Sequence, residues 1–147
     1  MKLRKKLLIV AGASLAALGA TSPAAAAVVN VVKSPTCGCC EKWIDHVRKA
    51  GHIVKVENGD PSAEATRAGV PANLRSCHTS SVGRYTLEGH VPAEDIARLL
   101  REKPDAAGIA VAGMPAGAPG MEHGDHKEPF QTILFDRAGK TRVFASH

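Results

Sequence analysis

Three thiols fall within four residues at Cys37-Gly38-Cys39-Cys40, and a fourth stands beside an imidazole at Cys77-His78. Cys37 and Cys40 have the C-x-x-C spacing of a redox pair, and Cys39 inserts a further thiol into it. Adjacent Cα atoms lie about 3.8 Å apart, below the roughly 4.4–6.8 Å that disulfides favour, so a Cys39–Cys40 bond is disfavoured. Three thiols also cannot all pair among themselves, so a structural disulfide explains the cluster poorly. Thiolates are soft ligands that select Cu(I), zinc or iron–sulfur centres. The motif therefore points to metal or redox chemistry without choosing between them. Cys77 is a candidate fourth ligand and His78 a weaker one; a buried free cysteine is the plain alternative for Cys77.

A second unusual stretch runs from Gly113 to His126. It holds Met114 and Met121, every methionine beyond Met1, together with His123 and His126. Thioether suits Cu(I), and imidazole suits copper and zinc. Met114, Met121 and His123 are accordingly candidate ligands, against the plainer reading of core filler and solvated side chains. His46, His52 and His90 read as surface or packing residues, and Trp43 as core.

The elements that must position these groups follow from periodicity. Val28 to Lys33 reads as a β-branched strand. From Gly38 to Ala50 the pattern is helical, with Cys40, Trp43, Ile44 and Val47 on one face and Gly51 at the C-terminal end. This places the thiols at a helix N-terminus, where unsatisfied N–H groups and the helix dipole favour thiolate. Ile53, Val54 and Val56 suggest a second strand. Asp60-Pro61 caps and opens a short helix through Ala68. Cys77 to Val82 and Tyr85 to Leu87 form an expected hairpin, and Pro92 opens a helix that Pro104 stops. Gly108 to Pro129 reads as a long loop. A final hairpin joins Gln131–Asp136 to Lys140–Ala145. The order strand, helix, strand, helix, hairpin, helix is that of a thioredoxin-like α/β domain. A mixed sheet with flanking helices is expected, plus an extra C-terminal loop and β-hairpin.

The first residues bear on the compartment. Lys2, Arg4, Lys5 and Lys6 precede an uncharged run from Leu7 to Ala20, and Ala25-Ala26-Ala27 follows. This is the layout of a cleaved signal peptide over 1–27, with a mature domain over 28–147. The apolar run is 14 residues, short of the roughly 20 that span a bilayer. Neither a lipid-attachment Cys nor a twin-arginine pair is seen there. The chain carries a net charge of +5, most of it in that leader, so the mature part is nearly neutral. With one Trp, one Tyr and three Phe, it has no basic patch interleaved with aromatics, which argues against nucleic acid as a partner.

Lys33-Ser34-Pro35-Thr36-Cys37-Gly38-Cys39-Cys40, with Trp43 and His46, resembles the CopG-like copper-resistance family. The likeness continues through Gly69-Val70-Pro71, Ser76-Cys77-His78-Thr79, Glu88-Gly89-His90-Val91-Pro92-Ala93, Gly113-Met114-Pro115 and Gly120-Met121-Glu122. The resemblance implies a periplasmic, thioredoxin-like protein holding copper at the C-x-C-C motif as a thiolate cluster. It implies a role in copper tolerance, with interconversion of Cu(I) and Cu(II) and hand-over to periplasmic copper export or oxidation proteins. Cys37, Cys39 and Cys40 carry over directly; Cys77, Met114 and Met121 match further blocks. The alternatives are a thiol–disulfide oxidoreductase using Cys37 and Cys40, or a zinc–thiolate protein. Cys39 discriminates, since disulfide exchange does not need it.

Overall fold

The computed structural model describes residues 26–147; the expected leader lies outside the described residues apart from its last two alanines. Eleven elements follow: β1 (Val28–Lys33), α1 (Gly38–Lys49), β2 (Ile53–Asn58), α2 (Pro61–Arg67), a 3-10 turn (Ala72–Leu74), β3 (His78–Val82), β4 (Tyr85–Glu88), α3 (Ala93–Glu102), β5 (Gly108–Ala110), β6 (Gln131–Phe135) and β7 (Thr141–Ser146). The strands form one mixed sheet in the order β2-β1-β3-β4-β5-β6-β7. β1/β2 and β4/β5 are parallel and the other neighbours antiparallel. The fold is thus α/β with a mixed sheet and helices, as expected.

Local chemistry accounts for the first half. In β1, Val29 and Val31 point into the core while Val28 and Asn30 face solvent, the period of two that a half-buried strand requires. In α1, Cys40, Trp43, Ile44 and Val47 are buried together. Gly51, with φ +94°, supplies the left-handed turn that releases the chain into β2. Asp60 accepts hydrogen bonds from the N–H groups of Ser62 and Ala63, so it caps α2 while Pro61 begins it. α3 contributes Ile96 and Leu99 to the core shared with Leu87, Val91 and Ile109, and ends at Lys103 immediately before Pro104.

One expectation is corrected. The stretch from Gly108 is not loop from its start: Gly108–Ala110 is strand β5, buried throughout and pairing with both β4 and β6. Parallel neighbours need a crossover connection, and α3 supplies it between β4 and β5 just as α1 does between β1 and β2. Gly108 is required sterically, because a Cβ there would collide with the backbone carbonyl of Thr86. The consequence is that the C-terminal hairpin is not an appendage: β5 joins it to the same sheet. The remaining loop, from Val111 to Phe130, leaves β5 and returns to its neighbour β6.

Candidate metal centre

The thiols gather where the C-terminal end of β1 turns into α1. Cys37 is the N-cap residue, its N–H bonded to the Ser34 carbonyl and its carbonyl accepting from Glu41 N–H. Cys39 lies half-buried in the first turn and Cys40 is fully buried on the apolar face. Cys37 is half-buried. Cys37 and Cys40 are joined in a disulfide across a Cα separation of 5.3 Å; Cys39 and Cys77 are free.

Cys77 arrives on the segment entering β3. Its Sγ lies 3.6 Å from that of Cys40 and 3.8 Å from that of Cys39, while Cys39 and Cys37 are 3.5 Å apart. All four sulfurs lie within 4.8 Å of one another. Glu88, on the neighbouring strand β4, holds Cys77 in place from both sides. One carboxylate oxygen accepts from Ser76 N–H and the other from the Thr79 hydroxyl, each at 2.7 Å. Burial pushes the Glu88 carboxyl above its ordinary range. Burial, and then the neighbouring Cys39, push the Cys77 thiol up to about 12, so without a metal Cys77 is a neutral thiol.

Two imidazoles close over Cys77. His78 Nδ1 is 3.3 Å from its sulfur and His90 Nε2 is 3.0 Å away. His90 Nδ1 donates to the Pro119 carbonyl at 2.7 Å; a carbonyl only accepts, so Nε2 presents its lone pair to the thiol. His78 Nε2 is buried with no hydrogen-bond partner, and its ring lies 4.4 Å from Trp43. Burial, and then the adjoining His90, push His78 down to about 3, and burial lowers His90 as well. Cys77, His78 and His90 form a second group of donor atoms within 4.8 Å, sharing Cys77 with the first. His90 therefore does not belong with the surface and packing histidines. It follows the tight turn at Gly89, where φ is +70° and a Cβ would meet Ser76, and that turn aims it inward.

An ion pair with a buried lysine backs the site. Lys33, at the end of β1, has a side chain 2% exposed; its Nζ lies 2.7 Å from Glu41 and 3.0 Å from the Ser34 carbonyl. It ties the loop before Cys37 to the first turn of α1.

The methionine-bearing loop packs over that turn. Gly120 sits so close that a Cβ would approach the Cys39 carbonyl and the Trp43 nitrogen to 2.7 Å. Glu122 fastens the loop to α1 through His46 at 2.6 Å, a tethering part that the surface reading of His46 missed. His123 is not among the clustered Cys and His donor atoms; Met114 and Met121 lie with it beside Cys39. They line a shallow cleft of about 310 Å³ with Cys39, Lys42 and Glu122, which opens at the edge of the thiol cluster. Met114 is exposed and Met121 half-buried. His123 and His126 face solvent and pair only with each other through a backbone bridge.

Comparison with known proteins fits this arrangement. Residues 74–121 match a family model described as a protein of unknown function, DUF411. A solved structure titled copper resistance protein CopG, form 2, is 41% identical, covers 84% of this chain and 99% of its own, and superposes with a TM-score of 0.80. This chain belongs to the CopG-like copper-resistance family. A second CopG structure, form 1, is likewise 41% identical over 82% of this chain and 96% of its own, with a TM-score of 0.77. No curated protein matches. The family block over 74–121 spans Cys77, His78, His90, Met114 and Met121, so both imidazoles and the loop lie in the part it defines. Among the described residues, no helix of this CopG-like chain is long and apolar enough to cross a membrane.

Proposed function

We propose that this chain is a periplasmic copper-binding protein of copper resistance that carries Cu(I) as cargo at Cys37, Cys39, Cys40 and Cys77. The single observation carrying this reading is the convergence of four sulfurs within 4.8 Å in a chain of a copper-resistance family. Soft thiolates bridging neighbouring soft ions suit a Cu(I) cluster better than a hard ion. Reduction of the Cys37–Cys40 disulfide by an external dithiol, which leaves as its own disulfide, supplies two of the four thiolates. Binding then displaces the proton that burial keeps on Cys77, so copper uptake releases protons. His78 and His90 stand ready as nitrogen donors, while Met114, Met121 and His123 form the mouth through which copper reaches Cys39. Residues 1–27 act as a cleaved export signal, and residues 28–147 form the thioredoxin-like mature domain. Hand-over to periplasmic copper export or oxidation proteins, and interconversion of Cu(I) and Cu(II), complete the role.

The test is Cys39→Ser. A serine oxygen is a hard, weakly acidic substitute, so Cu(I) binding in competition with a chelator falls sharply while Cys37 and Cys40 still form their disulfide. A second reading, thiol–disulfide oxidoreductase, is favoured by the disulfide at the N-cap of α1. Insulin reduction run alongside separates the two. If Cys39→Ser keeps parental copper affinity and loses reductase turnover, the oxidoreductase reading replaces the copper reading.

A further inference from the structure

The disulfide has an unbonded sulfur against it. Cys77 Sγ lies 3.6 Å from Cys40 Sγ, close to van der Waals contact. Thiol–disulfide exchange requires a thiol able to reach a disulfide sulfur, a base to take its proton and a leaving sulfur that can hold the charge. His90 Nε2 lies 3.0 Å from Cys77 Sγ, within reach of the thiol proton. The Pro119 carbonyl fixes its tautomer from the far side, which is the nucleophile, base and orienting group arrangement of an activated nucleophile. The leaving sulfur would be Cys37, half-buried at the N-cap of α1, where the helix N-terminus favours a thiolate. Cys39 is also near the disulfide, 3.5 Å from Cys37, but no imidazole lies in hydrogen-bond contact with it.

We propose that Cys77 and His90 are the nucleophile and base of an internal disulfide exchange that converts the Cys37–Cys40 bond into Cys40–Cys77 and releases Cys37. The thiol proton of Cys77 passes to His90 Nε2 as the Cys77–Cys40 sulfur–sulfur bond forms. The Cys37–Cys40 bond breaks, and its electron pair leaves on Cys37 as thiolate. That thiolate takes the proton back through solvent. One disulfide is consumed and one made, so no oxidant or reductant is needed. The exchange moves the free thiol from Cys77, on the segment entering β3, to Cys37 at the N-cap of α1, both positions being half-buried. It does not rest on the copper reading, because every group involved is in place without metal.

The experiment uses copper-free protein held with a chelator and oxidised to one disulfide per chain. Cys39→Ser serves as the background, so that three cysteines share one bond. Iodoacetamide is added for increasing times, and labelled and disulfide-linked peptides are mapped by mass spectrometry. Label should accumulate on Cys37, with a Cys40–Cys77 peptide appearing in step. Adding His90→Gln should slow this by about 100-fold, the scale of a lost general base, without changing the product. Adding Cys77→Ala should abolish it. Label confined to Cys77 at all times, or Cys37 labelled equally fast in either added variant, overturns the proposal. Far-UV circular dichroism checks folding; should His90→Gln unfold, the comparison with Cys77→Ala decides alone.

Discussion

Replacing Gly120 by alanine tests whether the methionine-bearing loop is held against α1 by close backbone approach. Two costs add. The residue has φ +86°, and an L-residue in the left-handed region is disfavoured by about 1–2 kcal/mol. The new Cβ would also lie 2.7 Å from the Cys39 carbonyl and the Trp43 nitrogen. Both are backbone atoms of a hydrogen-bonded helix, so the loop must lift instead. Lifting it loosens the hydrogen bond from His90 Nδ1 to Pro119, worth about 1 kcal/mol net. The sum is a loss of about 2–3 kcal/mol. Gly124 in the same loop is the control: its φ is +58°, but a Cβ there meets nothing within 4 Å, so Gly124→Ala carries only the backbone term. Urea unfolding of copper-free protein should show a midpoint drop of about 1–2 M for Gly120→Ala at an unchanged slope, and clearly less for Gly124→Ala. Equal drops for the two variants would refute the close-packing argument.

Acid sensitivity follows from three histidines. His52, His78 and His90 are each pushed below the ordinary 6.5 by burial, so the unfolded chain binds more protons and stability is present above about pH 6.5 and lost as pH falls below it. His52 lies outside both donor clusters and accepts from Ala27 N–H; His52→Asn should flatten part of that dependence in urea titrations between pH 7 and 5, and an unchanged profile would contradict it. The Lys33–Glu41 pair should respond asymmetrically. Glu41→Ala leaves a buried ammonium short of its carboxylate and should cost more than Lys33→Met, which frees only a largely exposed acid and one carbonyl; the reverse order in urea midpoints would show that the buried charge does not govern the pair.

Most of the elements around the site are legible in the sequence because each carries its own local signal. β1 is announced by four valines, α1 by the spacing of Cys40, Trp43, Ile44 and Val47, and α2 by Asp60-Pro61. Cys77 stands out in the sequence as a fourth thiol beside an imidazole, and its sulfur lies with the first three. β5 was not legible: Gly108-Ile109-Ala110 holds one β-branched residue in a Gly-, Ala- and Pro-rich stretch, and its strand character comes from neighbours on both sides rather than from itself. His90 was missed for a related reason. Its inward direction depends on the turn at Gly89 and on a carbonyl contributed from Pro119, 29 residues away. Periodicity carries no trace of such a partner, and the only signal was that His90 lay within a block shared with the family. The position of Met114 and Met121 in the cleft beside Cys39 likewise depends on how the loop settles on α1.

The loop between β5 and β6 begins and ends on strands that pair with each other, Ala110 opposite Ile133. Its two feet are therefore anchored side by side, and the sheet beneath does not depend on what lies between them. The stretch around Pro119 and Gly120, which orients His90 and packs on α1, is fixed by the site; the rest of the loop only closes the gap between neighbouring strands. Closing a longer or shorter version costs little, since closure entropy grows only with the logarithm of length. The exposed segment from His123 to His126 can thus change length while the four sulfurs stay where β1, α1 and β3 hold them.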